Sequence, residues 1–322
     1  MSITLNTENS FDYLENFIKN NYIDRSLPPN TELLCDKFQK ELSKFTDETF
    51  EYFLCHTGYI SEFYSHDSSE ETLQTKLSEA VVLEWSKRIG FYKSYLPTAK
   101  SSKEDVFISD NDNIIVCDVK TFRLGRSQKA PNVKDALKLA DIQKWKNDYK
   151  KDIRNKIGGL VTFPVEHNWS RGSDFYLYTT DKDSPTAVLF YYHLAFFIKK
   201  KMSPQTLISF LTSYDSNFPN RLTKNDNNKD KYLAIMEKNI FANNLSDLPA
   251  YKAYALNIRK KYIKNTINNV ESYLLKSQSK INKRISAYNI EELKEKCSKV
   301  EFFYKNGSLI KQLECIKKFR SK

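Results

Sequence analysis

Glycine and proline are scarce in this chain, at 7 and 9 of 322 residues. That scarcity argues against barrels and other architectures that place these residues at many tight turns. No motif recurs at a period of roughly 20–50 residues, which excludes solenoids and propellers. Five cysteines, at positions 35, 55, 117, 297 and 315, form no CxxC pair and are odd in number. They fit a reduced, cytoplasmic setting and not a disulfide framework. Four histidines are scattered without metal-ligand spacing, so zinc and haem chemistry are not expected. A phosphate-cradling Walker A loop is missing, as is a dinucleotide-binding glycine fingerprint, which argues against ATP-driven and dinucleotide-dependent chemistry. No apolar run reaches the roughly 18 residues of a membrane-spanning helix. The opening residues lack the basic and apolar regions of a signal peptide.

What is present is globular. Hydrophobic residues make up 40%, with 20 Tyr and 21 Phe, enough for a large core in one or two domains. The net charge of +11 is unevenly placed. From Tyr251 to Lys322 there are 18 Lys and Arg against 6 Asp and Glu, a surplus of 12. The other 250 residues hold 33 against 34. A concentrated basic segment is what a phosphate-backbone binder carries. A solvated lysine-rich surface, common in AT-rich bacterial genomes, accounts for the tail equally well.

The chemistry gathers between positions 104 and 129. Glu104 to Ser109, the polar Asp110-Asn111-Asp112-Asn113, and Ile114 to Lys120 read as strand, tight turn and strand. Side chains alternate faces along a strand, so Asp118 and Lys120 share a face, and pairing lets Asp105 reach the same place. The apolar run Ile114-Ile115-Val116-Cys117 puts this end of the strand in a buried setting, where charges are costly unless paired or metal-bound. Two carboxylates and an ammonium converging there suit phosphodiester hydrolysis. The carboxylates would hold a divalent cation, and the lysine would orient or activate a water. The bland alternative is a solvated hairpin end. The basic residues Arg123, Arg126 and Lys129 follow at once.

The run from Asp118 through Val119, Lys120, Thr121, Phe122, Arg123, Leu124 and Gly125 to Arg126 resembles the Asp-Ala-Lys-Ser-Phe-Arg-Leu-Ser-Arg run of HindIII-type restriction endonucleases, within the PD-(D/E)xK nuclease superfamily. Flanking pieces agree in order: a helix from Ser69 to Arg88, Trp145, the strand Gly159 to Pro164, then Ala187 to Phe190 leading into His193–Phe197. The resemblance covers roughly residues 68–200. One departure is Glu104, which stands where the superfamily has proline. The resemblance implies a type II restriction endonuclease that binds double-stranded DNA, uses Mg²⁺ held by Asp105, Asp118 and the carbonyl of Val119, and leaves 5′-phosphate ends. It further implies a homodimer and a companion DNA methyltransferase. Superfamily members often aim a helix glutamate at the metal, and Glu84 is the candidate, with Glu79 second. Glu84 falls on the apolar stripe of Leu73, Leu77, Ala80 and Val81, but pairing with Arg88 one turn on explains it as well.

The order helix, hairpin, helix, strands, helix gives an α/β core with a mixed central sheet. The resemblance makes this a PD-(D/E)xK core, with helical regions before and after it. Residues 1–67 are read as a helical N-terminal region, 68–216 as the catalytic core and 217–322 as a basic helical region for DNA binding or dimerisation. Within this scheme Glu32–Phe53 carries an amphipathic pattern, and Pro131–Tyr149 reads as a helix bearing Lys134, Lys138, Lys144 and Lys146. Leu160–Val165 reads as a strand, followed by a second at either Phe175–Thr179 or Ala187–Tyr191. His193 reads as a core or capping residue. Arg123, Arg126 and Lys129 would clamp phosphates or read guanine edges. Two other functions fit the residues: a structure-selective repair or recombination nuclease, and a non-catalytic basic DNA-binding protein.

Overall fold

A computed structural model describes residues 9–98, 103–125, 139–166 and 174–318. Arg126, Lys129, Lys134 and Lys138 lie outside the described residues. Three short helices open the chain: α1 (Tyr13–Asn21), α2 (Thr31–Leu42) and α3 (Asp47–Leu54). The amphipathic stretch Glu32–Phe53 is therefore divided. The hydroxyl of Thr46 accepts the Thr49 N–H at 3.1 Å and starts α3 afresh.

A two-residue strand, β1 (Tyr59–Ile60), precedes the long helix α4 (Ser69–Ile89). Ser68 caps α4 by accepting the Glu71 N–H at 3.3 Å. Gly90 closes it with φ at +118°, a left-handed conformation that a Cβ would strain.

The sheet follows: β2 (Val106–Ser109), β3 (Asn113–Val119), β5 (Asn155–Phe163) and β6 (Thr186–Phe190), in the order β2-β3-β5-β6. β2 runs antiparallel to β3, as the tight turn requires, and the other pairs are parallel. β4 (Phe122–Arg123) leaves this sheet and pairs in parallel with β1. α5 (Leu139–Asp148) crosses between β4 and β5. Gly159 lets α5 approach: a Cβ there would come within 2.8 Å of Ile142. From Ile114 to Val119 every residue of β3 is buried, so both faces of the strand are covered. Its apolar residues run continuously, as in a central parallel strand.

Of the two alternatives after β5, Ala187–Tyr191 holds the strand, β6. Phe175–Thr179 instead begins inside a helical turn, α6 (Asp174–Tyr178). Its aromatics pack rather than alternate: Phe175 meets Phe163 edge-on, and both it and Tyr176 are buried. Helices α7 (Tyr191–Lys199), α8 (Gln205–Thr212), α9 (Tyr214–Asn217) and α10 (Asn228–Ile240) complete the core. His193 is fully buried. Its Nδ1 accepts the Phe190 N–H at 3.2 Å, and its Nε2 lies 3.2 Å from Glu237. Burial pulls its pKa below the usual histidine value.

Two long helices end the chain, α11 (Leu248–Ile285) and α12 (Ile290–Lys318). The molecule divides into two compact units, Met1–Asn265 and Thr266–Lys322. The first holds the sheet and its flanking helices. In the second, none of the residues 266–307 is buried, and Leu274, Leu275, Phe302, Phe303 and Tyr304 are exposed. Among the described residues, no helix is long and apolar enough to cross a membrane.

Candidate active site

Period-two alternation places Asp118 and Lys120 on one face at the carboxyl end of β3. There Lys120 Nζ lies 2.8 Å from Asp118 Oδ2. Both side chains are mostly enclosed, with 8% of Asp118 and 20% of Lys120 exposed. Asp105 comes in at the start of β2. Its N–H donates to the Cys117 carbonyl at 2.9 Å, and its Oδ2 accepts the N–H of Val119 at 2.9 Å. The aspartate side chain thus continues a ladder that the β2 backbone no longer supplies. The N–H of Lys120 goes the other way, to the Thr162 carbonyl of β5 at 3.0 Å. Backbone groups alternate sides along a strand, so the carbonyl of Val119 lies on the Asp105 side.

A third carboxylate, Glu79, enters from α4. Lys76, one turn earlier on that helix, reaches Glu79 at 2.7 Å and Asp105 at 4.0 Å. Burial pushes Asp118 up to about 7. Lys120 opposes that rise and the Asp105 carboxylate adds to it. Glu79 is pushed well above the usual carboxylate range, first by burial and then by Asp105. Three acids are being held together against their mutual repulsion, with two lysines among them.

Glu84 does not join this group. Five residues beyond Glu79, it sits about 140° further round the helix. It binds Arg88 Nε at 2.8 Å. The same guanidinium holds Asp47 at 2.8 Å and the carbonyls of Leu42 and Phe45 at 2.8 and 2.9 Å, and it stacks on the Phe50 ring. Glu84 therefore belongs to a brace between α4 and the α2–α3 corner. Of the two glutamates weighed, Glu79 is the one near Asp105 and Asp118.

Arg123 is also committed elsewhere. Its guanidinium binds Glu71 at 2.9 Å and donates to the carbonyls of Ser61, Tyr64 and Ser65 at 3.0, 2.8 and 3.4 Å, with 9% of the side chain exposed. It fastens the segment after β1 to the start of α4. Glu104, in place of the superfamily proline, is buried and accepts a hydrogen bond from the Tyr149 hydroxyl at the end of α5. Lys76 carries a single signal in the sequence, its place three residues before Glu79, a helical neighbour.

The donors suit a hard divalent cation. Two carboxylates from paired strands and a backbone carbonyl on the same side are oxygen ligands, and Mg²⁺ commonly takes only one or two carboxylates and keeps its waters. Among the described residues, no three His, Cys, Asp or Glu side chains form a ready cage. The raised pKa of Asp118 and its closeness to Asp105 give the acids reason to accept a cation.

A model of the HindIII restriction endonuclease family matches residues 23–294. Among solved structures, the chain is similar to the small subunit of the heterodimeric restriction endonuclease R.BspD6I. Identity is 14% and the TM-score 0.36, over 50% of this chain and 89% of that one. Comparison with curated protein sequences gives no match.

Proposed function

The chain belongs to the HindIII restriction endonuclease family, and on that premise we propose that the corner formed by Asp105, Asp118 and Lys120 is where this site-specific nuclease hydrolyses DNA. The observation that carries the assignment is the convergence of those three groups at the end of the buried strand β3. Asp105, Asp118 and the Val119 carbonyl would hold Mg²⁺. When bound, the ion polarises the scissile phosphate and stabilises the leaving oxyanion. Lys120, steadied by Asp118, positions a water for in-line attack and offsets charge on the phosphorane. Glu79, in place of Glu84, supplies the helix carboxylate and adds negative charge that favours the cation. Attack on phosphorus with departure of the 3′ oxygen leaves 5′-phosphate and 3′-hydroxyl ends.

A homodimer would match a palindromic site, because two-fold protein symmetry meets two-fold DNA symmetry. A companion methyltransferase would protect the host. The division at 1–67, 68–216 and 217–322 assigns catalysis to the middle region, and DNA binding or dimerisation to the basic last one.

The test is incubation of the purified protein with unmethylated phage DNA, with Mg²⁺ or with EDTA. Discrete fragments with Mg²⁺ alone, ligatable through 5′-phosphates, are expected. Lys120→Ala should stop cutting and still shift DNA on a gel. Full cleavage by that variant overturns the assignment. A smear instead of bands points to a structure-selective or non-specific nuclease, and intact but shifted DNA to a binding protein.

A further inference from the structure

Lys76 stands inside the acidic cluster yet takes no part in the chemistry assigned above. Its ammonium is 2.7 Å from one Glu79 oxygen, 2.8 Å from the other and 4.0 Å from Asp105 Oδ1. Those are two of the three acids at the site, and one of them is a proposed metal ligand. Lys120 already neutralises the third, Asp118. Glu79 is nearly sealed, with 4% of its side chain exposed, whereas 43% of the Lys76 side chain is open to solvent. The acid is therefore fixed and the cation is free to leave. A lysine is a compact point charge on a flexible stem, well suited to such an exchange.

We propose that Lys76 is a resident counter-cation: its ammonium occupies the Glu79–Asp105 side of the cluster in the metal-free enzyme and must withdraw when a divalent cation binds. The inference rests on the nuclease reading of this site. It has two consequences. Lys76 keeps the acids from repelling one another apart before the cation arrives, and so preserves the geometry. It also competes with the cation, so affinity is set below what the acids alone would give. Displaced into solvent beside the site, its charge becomes available to a DNA phosphate.

The test is Mn²⁺ binding to the full chain without DNA, read from the electron paramagnetic resonance signal of the free ion. Mn²⁺ takes the same oxygen ligands as Mg²⁺. Lys76→Met keeps the aliphatic stem and removes the charge. It should bind Mn²⁺ about two- to fivefold more tightly than the wild type, the range expected for losing one partly exposed ion pair. Lys76→Arg, which keeps the charge, should stay close to wild type. Lys103→Met removes a lysine close in sequence to Asp105 and controls for the general field; it should shift affinity less. A second readout is thermal stability: the midpoint of Lys76→Met should fall in EDTA and recover with Mn²⁺. Unchanged or weaker Mn²⁺ binding by Lys76→Met, or an equal gain in Lys103→Met, overturns the counter-cation role and leaves the nuclease assignment standing. Absence of any Mn²⁺ binding sensitive to Asp118→Asn, together with no cleavage, overturns both.

Discussion

Each acid in the cluster answers to a different neighbour, and the differences are measurable. Asp118 has its pKa raised from 3.8 to about 7, with burial as the main cause. Between those values the folded protein holds a proton that the unfolded chain has released. Stability of the metal-free protein should therefore fall as pH rises from about 4 to about 7, through the contribution of this one group. Asp118→Asn should remove that slope. In EDTA its melting midpoint should exceed the wild type's at pH 8 and approach it at pH 4, which thermal unfolding across pH would check. Glu79 and Glu84 of α4 should separate in the opposite sense. Glu84→Ala leaves the nearly buried Arg88 short of a partner, at a cost of about 1–3 kcal/mol in urea unfolding, while cleavage of cold samples persists. Glu79→Gln should lose cleavage with little loss of stability. An equal loss of cleavage in both variants would contradict the placement of Glu84 in the brace.

At the scale of elements, the hairpin was the most legible part. Alternation from Ile114 to Lys120 is a two-residue code, and the polar turn at 110–113 fixes which strands pair, so the sequence alone brings Asp105, Asp118 and Lys120 to one place. The glutamate could not. A stripe identifies a helix face only when another face meets water, and α4 buries every residue from Leu77 to Ser86. Glu79 and Glu84 are both enclosed, and only the sheet beside them tells them apart. Arg123 misled for a related reason: a basic residue next to a catalytic motif reads as DNA-facing, and its four partners at Ser61, Tyr64, Ser65 and Glu71 lie 52 to 62 residues away. The strand choice after β5 turned on Phe175 and Tyr176, whose β propensity was overridden by packing. Gly159 offers a test of how the helix layer sets the site. Gly159→Val would drive a side chain into Ile142 and should cost about 1–3 kcal/mol. A variant as stable as the wild type would show that α5 can retreat from the sheet freely.

For the whole molecule, charge is the organising fact. Most of the surplus of the last 72 residues sits on α11 and α12, against near neutrality elsewhere. If that surplus contacts phosphates, Lys283→Gln with Arg284→Gln should weaken binding to all duplexes alike and flatten the salt dependence. The slope of log K against log salt should fall by about 2 in magnitude, close to one per lost contact. Fluorescence anisotropy over a salt series would measure it, and an unchanged slope would assign the basic tail to another task. The sequence exposed this imbalance directly, but it could not show that none of residues 266–307 is buried, because burial depends on what a helix packs against.

The burial of β3 has one more implication, for safety in the cell. Asp118 lies on the inner strand β3 and Lys120 follows it directly, while Asp105, at the start of the edge strand β2, is held by the β3 backbone. A molecule in which β2 and β3 have parted no longer holds the three groups together. Local unfolding ordinarily begins at edges and termini. Here fraying of the edge strand β2 would carry Asp105 away from the proposed centre. If the proposed centre is the cutting one, a half-made or heat-damaged copy of this endonuclease would be an inert one, a useful property in a protein whose misdirected activity would break the chromosome that encodes it.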